Sequence, residues 1–444
     1  MRKQLRYITF YLQTFLGRHL VQLILSALIG FFATVLIIQI YPLYKRIFVR
    51  EHRVIGYVGR FSPRTLPLFI QQQISVGLTT ADEQGLPNPG AAQSWEFDEQ
   101  GSTLTVHLKN NLLFHDGKPF TASDVNYKIK GVTFTVVDDA TLSVQLKEPF
   151  SPILTLLSQP ILRSSLVGLG SYKVTKLSVE EDTISVLILT PVVEGAPSLT
   201  YRFYRNLKDA ILAYKMGEVS ILKDIADQEQ MKSWEKGTFS ESTLFDRYVG
   251  IFFNMSNPAF KDKEIRQALA YAIPEFENFQ KAHTPLSPLS WAYSDKIRLY
   301  DFDAQTAIKI LSKSELASSS SELILSTFAT NLFHAEKIAE SWGKVGVKTK
   351  VKVETSLNPV YQVFLLTQQI PSDPDQYHIW QSTQIGTNIT NYGSPKIDKL
   401  LEDGRKTYDF EERKRIYADF QRYLVDDAPV IFLYYPKVYT VERQ

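Results

Sequence analysis

The chain has 444 residues, enough for two or three domains with cores of their own, and its 44% apolar and 22% charged residues are typical of a globular protein. The formal net charge of +2 provides no general attraction to nucleic acid or anionic lipid. Cysteine is absent, which excludes disulfides, thiolate catalysis, iron–sulfur clusters and cysteine-ligated zinc.

The first predicted element is a long apolar helix near the N-terminus. Residues 20–44 contain no Asp, Glu, Lys, Arg or His. At about 1.5 Å per residue, segment 20–41 spans roughly 30 Å, the thickness of a bilayer core. Its length, and its Ile, Leu and Phe content, favour a retained transmembrane anchor over a cleaved signal. Basic residues flank both ends, so the positive-inside rule leaves the orientation open.

Strands and helices then alternate along the chain. The sequence "STLTVHLKN" places three apolar residues on one face of a strand. The sequence "VTFTVVDDATLSVQL" predicts a hairpin with its turn at 138–140. A helix over 335–344, ended by Gly346, precedes the half-buried strand "VGVKTKVKVE". These elements predict a mixed α/β fold.

The C-terminal region predicts two capped helices and a strand. In "SPKIDKLLEDG", Ser394 is the expected N-cap, Pro395 the first helical residue and Gly404 the stop. In "DFEERKRIYADFQRYLV", Asp409 and Glu412 have the spacing of a capping box. The sequence "DDAPVIFLYYP" then predicts a buried strand that begins after its first proline.

The segment "LLFHDGKPFTASDVNYKIK", residues 112–130, contains residue types that suit either a reactive site or a purely structural turn. No second histidine has a zinc-binding spacing, and neither a nucleophile elbow nor a phosphate loop is present in the sequence. Asp116 and Gly117 form a turn dipeptide, and Thr121 with Asp124 predicts a capped helix. We therefore interpret the segment as strand, turn and capped helix. A catalytic dyad of His115 with a distant segment is the alternative.

This segment also carries a resemblance to a known family. The sequence "FHDGKPFTASDV" resembles the hallmark turn of the family 5 extracellular solute-binding proteins, the peptide-binding components of ABC importers. Further similar motifs follow in the family's order: "GLGSYKV", "AILAYKMGEVSIL", "YVGIFFNMSNPAFKDKEIRQALAYAI", "IPSDPDQYHIW", "NYGSPKIDKLLEDGR" and "DDAPVIFLYYP". The resemblance extends over residues 54–441.

The resemblance implies an architecture and a location. It implies a two-lobed, periplasmic-binding-protein-like clamp of mixed sheets and flanking helices, preceded by one transmembrane helix. We expect a cytoplasmic N-terminus at 1–19, the anchor at 20–41 and a linker at 42–53. The first lobe, with a reduced subdomain, covers 54–247 and is completed by about 425–444, and the second lobe covers 248–424. The clamp then lies on the extracellular or periplasmic side of a single-pass cell-membrane protein.

The resemblance also implies binding rather than catalysis. The expected partners are a peptide or other small solute, the permease subunits of an ABC transporter, and the membrane through the N-terminal helix. No nucleic acid, cofactor, metal or catalytic residue is expected. A clamp protein that senses or binds at the cell surface without import, and an anchored hydrolase, are the alternatives.

A set of ligand-binding residues follows from alignment with the family. In this alignment Arg64, Thr65 and Leu66 form a strand lip on the first lobe, and residues 366–368 face them from the second lobe. The aromatic residues of this set are equally suited to the wall of a ligand pocket and to the protein core. Ile370 stands where relatives that grip a free peptide N-terminus have an acidic residue, so we expect no preference for a free amine. The full set is Arg64, Thr65, Leu66, Tyr248, Phe253, Asn254, Trp291, Gln368, Ile370 and Trp380.

Overall fold

The computed structural model describes residues 2–48, 51–226, 237–314, 316 and 322–443. Within these ranges the strands are β1 (His52–Val58), β2 (Thr79–Ala81), β3 (Pro87–Pro89), β4 (Ala92–Phe97), β5 (Thr103–Leu108), β6 (Val132–Asp138), β7 (Thr141–Leu146), β8 (Tyr172–Glu180), β9 (Thr183–Pro191), β10 (Ser198–Tyr204), β11 (Ile221–Ile225), β12 (Gly237–Thr243), β13 (Arg247–Phe253), β14 (Leu323–Phe328), β15 (Thr349–Glu354), β16 (Val363–Gln369), β17 (Val430–Tyr434) and β18 (Lys437–Arg443).

The helices of the same residues are α1 (Arg2–Phe48), α2 (Leu68–Ile74), α3 (Ile153–Leu156), α4 (Leu207–Met216), α5 (Lys263–Tyr271), α6 (Ala304–Leu311), α7 (Leu332–Lys344), α8 (Tyr377–Trp380), α9 (Pro395–Lys406) and α10 (Phe410–Asp427). Short 3-10 turns add Ala122–Asp124, Ser164–Leu166, Pro258–Phe260 and Ala329–Asn331.

Helix α1 stands apart from the rest of the protein. Its apolar stretch Gly17–Tyr41 has a mean hydropathy of 2.5, and none of its most apolar window is buried. It is long and apolar enough to cross a membrane once, although a signal sequence near an N-terminus has the same properties. The predicted linker at 42–53 is largely helical, because α1 continues to Phe48, and residues 49–50 lie outside the described ranges.

The first lobe is built on a seven-stranded sheet with the order β12-β18-β11-β1-β10-β9-β8. Strand β1 pairs in parallel with β10 on one side and with β11 on the other. The remaining pairs in this sheet are antiparallel. Helix α4 connects β10 to β11 and ends at Gly217, whose φ of 83° is the left-handed conformation that glycine adopts at little cost.

A subdomain of four antiparallel strands, in the order β4-β5-β7-β6, is inserted between β1 and β8. In β5 the predicted alternation is confirmed, since Leu104, Val106 and Leu108 are buried and the residues between them are not. The predicted hairpin is also confirmed, because β6 and β7 pair across a turn that follows Asp138. The helix predicted after Thr121 is shorter than expected and consists of the 3-10 turn Ala122–Asp124 alone.

The second lobe is built on a five-stranded sheet with the order β15-β14-β16-β13-β17. Strand β13 lies inside the sheet, between β16 and β17, and its side chains enter two separate clusters. Val249 and Ile251 pack beneath α5, α6 and α7, while Tyr248 and Phe252 pack beneath α9 and α10. A sheet covered on both faces explains why the apolar run of β13 is continuous rather than alternating.

Two short segments join the lobes. The chain crosses once between β12 and β13, at 244–246, and again between β17 and β18, at Tyr435 and Pro436. Strand β17 pairs with β13 in the second lobe, and β18 pairs with β11 and β12 in the first. We therefore propose that the final return to the first lobe begins at 437, within the expected segment 425–444.

The predicted stop at Gly404 is wrong. Helix α9 passes through Gly404 and ends at Lys406. Gly404 is required for close packing, because a Cβ atom there would lie 2.9 Å from Cζ of Tyr417. By contrast, Pro395 occupies the first turn of α9 as predicted, and the Asp409 side chain accepts the Glu412 N–H at the start of α10.

Candidate functional site

The candidate binding cleft lies where the parallel strands of the first lobe end. Strands β10, β1 and β11 run side by side in the same direction, so their carboxyl ends meet at one edge of the sheet. In open α/β sheets, ligands bind beyond the carboxyl ends of such strands. The side chains at this edge are those of Tyr57 on β1, Phe203 on β10, and Lys223 and Asp224 on β11.

Aromatic rings form one wall of this cleft. The ring centroid of Tyr57 lies 5.8 Å from that of Phe61 and 5.7 Å from that of Phe69. Phe61 also contacts Phe203, at 5.4 Å, and the Lys223 ammonium lies 4.3 Å from the centre of the Phe69 ring. All four rings are only partly buried, so they offer apolar surface to a ligand.

A tyrosine–aspartate pair supplies the polar part of the same edge. Burial raises the pKa of the Tyr57 hydroxyl to about 12, and the charge of the neighbouring Asp224 carboxylate adds to this shift. Asp224 has a φ of 57°, in the left-handed region, at an irregularity in the pairing of β11 with β18. Non-glycine residues held in this conformation cluster at functional sites, because the surrounding structure must compensate for their strain.

The second lobe presents an arginine to this edge. Arg247, the first residue of β13, binds the Asp246 carboxylate through Nε at 2.9 Å and Nη2 at 2.8 Å. Its side chain is still 40% exposed, and its charge lowers the pKa of Tyr57 while that of Asp246 raises it. Arg247 and Tyr248 pair with Gln369 and Gln368 at the end of β16. Tyr57, Asp224 and Arg247 therefore lie close together where the two lobes meet, and they define the candidate cleft.

The expected strand lip on the first lobe is absent from the structure. Arg64 and Thr65 lie in an exposed turn between β1 and α2, and Leu66 is only 3% exposed and packs in the core of the first lobe. The chain turns here because Ser62 and Thr65 form a local hydrogen bond, from the Thr65 N–H to the Ser62 carbonyl at 3.0 Å. A ligand backbone has no strand to pair with at this position.

Four of the predicted apolar site residues belong to the core of the second lobe. Tyr248 is 1% exposed and lies 4.9 Å from Phe432, ring centre to ring centre. Trp380 is 1% exposed, and its indole N–H donates to the Gln376 side chain at 2.9 Å. Phe253 and Ile370 are also buried. Their side chains therefore stabilise the lobe and do not line the cleft.

Asn254 and Trp291 also have structural partners. Asn254 is 6% exposed; its amide donates to the Tyr361 carbonyl at 2.8 Å and its side-chain oxygen accepts the Ser256 N–H at 3.0 Å. Trp291 is half-buried, lies 4.8 Å from the Phe410 ring, and donates its main-chain N–H to the Gln84 carbonyl at 3.1 Å. Gln368 is partly exposed near the end of β16, and its amide donates to the Gln369 carbonyl at 3.0 Å, so its contact with a ligand stays a prediction.

Two buried carboxylates follow Ile370, but arginines neutralise both, so neither replaces the missing acidic anchor. Arg413 contacts Asp373 through two nitrogens, at 2.6 and 3.1 Å, and Arg405 lies 3.1 Å from Asp375. Burial raises the pKa of Asp375 to about 6, and Arg405 opposes this shift. The two acids hold the loop after β16 against α9 and α10, so they are not free to bind a ligand ammonium.

The structure confirms that the His115–Gly117 segment is a turn. Gly117 has a φ of 80°, and Asp116 accepts the Lys118 N–H at 3.1 Å. The His115 ring bonds to the Gly170 carbonyl through Nε2 at 2.9 Å, and its Nδ1 accepts the Gly168 N–H at 3.4 Å. Both ring nitrogens are therefore committed to holding the neighbouring loop. The described part of the chain contains no group of three or more His, Asp or Glu residues arranged to hold a metal ion.

Two lobes joined by two crossings, with a polar and aromatic cleft between them, define a clamp-type solute-binding protein. A family comparison gives the same class. The sequence model of the bacterial extracellular solute-binding proteins, family 5, matches residues 87–133 and 126–390. The chain belongs to this family.

Individual relatives agree with this assignment. The oligopeptide-binding protein AppA of Bacillus subtilis (strain 168) is 24% identical over 443 residues, which cover 83% of this chain and 81% of the relative. Two solved structures are similar in fold over 89% of this chain and 94% of their own, each at 22% identity: CtaP from Listeria monocytogenes, with a TM-score of 0.75, and NikZ from Campylobacter jejuni in complex with Ni(L-His), with a TM-score of 0.71. The predicted two-lobed fold is confirmed.

Proposed function

We propose that this protein is a membrane-anchored receptor that captures a short peptide, or a solute of similar size, between its lobes and delivers it to an ABC permease. The observation that carries the proposal is the cleft formed by Tyr57, Asp224 and Arg247 in a chain of the family 5 solute-binding proteins. The resemblance to AppA, an oligopeptide-binding protein, favours a peptide.

The chemistry of the cleft suits a ligand that carries both charge and apolar groups. Arg247 has donors beyond those that Asp246 occupies, and a guanidinium binds carboxylates in a bidentate manner. The partly buried rings of Phe61 and Phe69 offer contacts for ligand side chains. Closure of two lobes about the crossings at 244–246 and 435–436 would bury the ligand from both sides.

A free ligand ammonium has no dedicated partner at the position that the family alignment indicates. Ile370 is 6% exposed there, and Asp373 and Asp375 are bound to arginines. Desolvating an ammonium without a counter-charge is costly. We therefore propose that this position contributes no preference for a free N-terminus over a blocked one. Replacing Ile370 with aspartate does not test this, because the new carboxylate would be buried in the core of the second lobe.

Anchoring by α1 is the second part of the proposal. The exposed apolar stretch Gly17–Tyr41 supports a single membrane crossing, with the two lobes on the outer side. After expression in bacteria, the full chain should remain in the membrane fraction through a carbonate wash, and protease should digest the lobes in spheroplasts. A soluble product shortened at its N-terminus would instead identify a cleaved signal.

Ligand capture is tested with the full chain in detergent. Mass spectrometry of molecules released from the purified protein identifies the ligand class, and calorimetric titration then measures affinity. Arg247→Gln should weaken binding of a peptide with a free C-terminal carboxylate by about 10-fold or more, and binding of the amidated peptide much less. Arg422→Gln is the matched control, because Arg422 is 47% exposed, against 40% for Arg247, and is paired with Asp419 on α10. Equal losses for both peptides, or for both variants, would contradict the assignment of the cleft.

A further inference from the structure

A separate cavity of about 270 Å³ lies within the second lobe, along β17. Its apolar wall comes from the side chains of β17 and from Ile273, Phe276, Phe279 and Phe302. Among the described residues, the cleft groups Tyr57, Asp224 and Arg247 are not part of its lining. The cavity is therefore distinct from the cleft between the lobes.

Aromatic rings shape the inner end of this cavity. The ring of Phe279 lies 4.3 Å from that of Tyr434, at an interplanar angle of 31°. Phe276 meets the same tyrosine ring at 5.2 Å, with an angle of 53°. Aromatic rings pack against one another in offset or edge-to-face arrangements, so these side chains can also contact the ring of a ligand. Tyr434 is also the last residue of β17, two positions before Pro436 in the crossing between the lobes.

The cationic side chains at the cavity already have partners. Lys281 lies 3.0 Å from an Asp301 carboxylate oxygen and donates to the Tyr300 carbonyl at 3.1 Å. Arg298 binds Asp426 at 2.8 Å. The carboxylates of Glu275 and Glu277 also line the cavity. An anionic ligand would find no unpaired cation among these groups and would meet acidic side chains.

Beside these carboxylates, His283 is a neutral polar side chain on the cavity wall. Burial, together with the nearby Lys281, lowers the pKa of His283, so its ring is neutral at pH 7. Within the described ranges, neither of its ring nitrogens hydrogen-bonds to another residue. A neutral imidazole has one nitrogen that accepts a hydrogen bond. A ligand with a single N–H or O–H group matches this acceptor.

We propose that the cavity along β17 is a second binding site, specific for a small neutral aromatic molecule with one N–H or O–H donor. The size fits, because a cavity of about 150 Å³ holds benzene, and the present cavity is larger by roughly one further ring. Phe279 and Tyr434 contact the rings of the ligand, and His283 accepts its proton donor. This site is independent of the proposed function of the cleft.

The test uses indole and indene, which have similar shapes but differ in the N–H group. Each is measured by equilibrium dialysis against the full chain in detergent. The Ala270→Leu variant is the blank for partition into micelles, because Ala270 is 1% exposed and lines the cavity. We expect one indole per parent chain above this blank, and indene bound about 2- to 12-fold more weakly, the contribution of one neutral hydrogen bond. Benzoate should not bind.

A second variant tests the polar contact separately. His283→Phe should remove the preference for indole over indene while the two molecules still bind. If Ala270→Leu fails to fold, Ala282→Val replaces it, since Ala282 also lines the cavity and is 1% exposed. Equal binding of indole to the parent and to the filled variant would overturn the proposal. Equal binding of indole and indene to the parent would overturn its polar part.

Discussion

Removing the guanidinium of Arg413 should destabilise the second lobe strongly. The side chains of Arg413 and Asp373 are 9% and 10% exposed, and they share two contacts of 2.6 and 3.1 Å. Arg413 also donates through Nε to the Gly404 carbonyl at 2.9 Å. Arg413→Gln leaves the Asp373 carboxylate buried without its counter-charge, and breaking such a pair costs about 3–5 kcal/mol.

The measurement is thermal unfolding of the full chain, followed by tryptophan fluorescence. For a lobe of this size, about 3–5 kcal/mol corresponds to a decrease in Tm of roughly 6–20 °C. Lys399→Gln is the matched control, because Lys399 and Asp403 form an exposed pair on α9, with side chains 75% and 45% exposed. Loss of this exposed ion pair should lower the free energy of unfolding by at most about 0.5 kcal/mol.

The double variant Arg413→Gln with Asp373→Asn isolates the pair itself. Because the buried charge is then gone, it should be less destabilised than the sum of the two single variants by about 1–3 kcal/mol. A loss below about 1 kcal/mol in Arg413→Gln would refute the reasoning, since the buried pair would then contribute no more than an exposed one.

Two further predictions concern the buried carboxylate of Asp375 and the ring of His115. Burial raises the folded-state pKa of Asp375 from 3.8 to about 6, so the folded state binds the proton more tightly and stability falls as pH rises between these values. Urea unfolding should therefore show that the free energy of unfolding of Asp375→Asn increases relative to that of the parent by roughly 2–3 kcal/mol as the pH rises from about 4 to about 7, since one pKa unit corresponds to about 1.4 kcal/mol. A difference between the two proteins that stays constant with pH would contradict the burial argument. His115→Ala should lower stability by about 1–3 kcal/mol through its two lost hydrogen bonds, with ligand affinity unchanged in calorimetry. His107→Ala, on the partly exposed face of β5, is its control, and an affinity loss without a change in melting would restore His115 as a functional residue.

Local patterns in the sequence determined much of the fold. The apolar run at 20–41 lies within one helix, the alternation at Leu104, Val106 and Leu108 appears as β5, and the start of α10 at Asp409 is capped as predicted. The order of short motifs identified the family and thereby the two lobes. These features are accessible because periodicity, capping and turn chemistry depend on neighbours within a few residues.

The candidate site depended on contacts that local patterns do not encode. Tyr57, Asp224 and Arg247 come from three distant strands, and the structure places them together only because β1 lies beside β11 and faces the start of β13. Their one signal in the sequence is a polar or charged group close to the first or last residue of a strand. Such groups also occur near the ends of strands that have no function in binding.

Burial explains the remaining differences. Tyr248 and Trp380 are aromatic residues beside cleft strands, and composition alone suits them to a pocket wall as well as to a core. The helices α9 and α10 cover them, so they pack inside the second lobe. Gly404 follows the same rule: a glycine late in a helix resembles a stop, but the Tyr417 ring, on the next helix, occupies the space that a side chain would need. Local sequence determined which elements form, and the packing of distant elements decided which of their residues a ligand can reach.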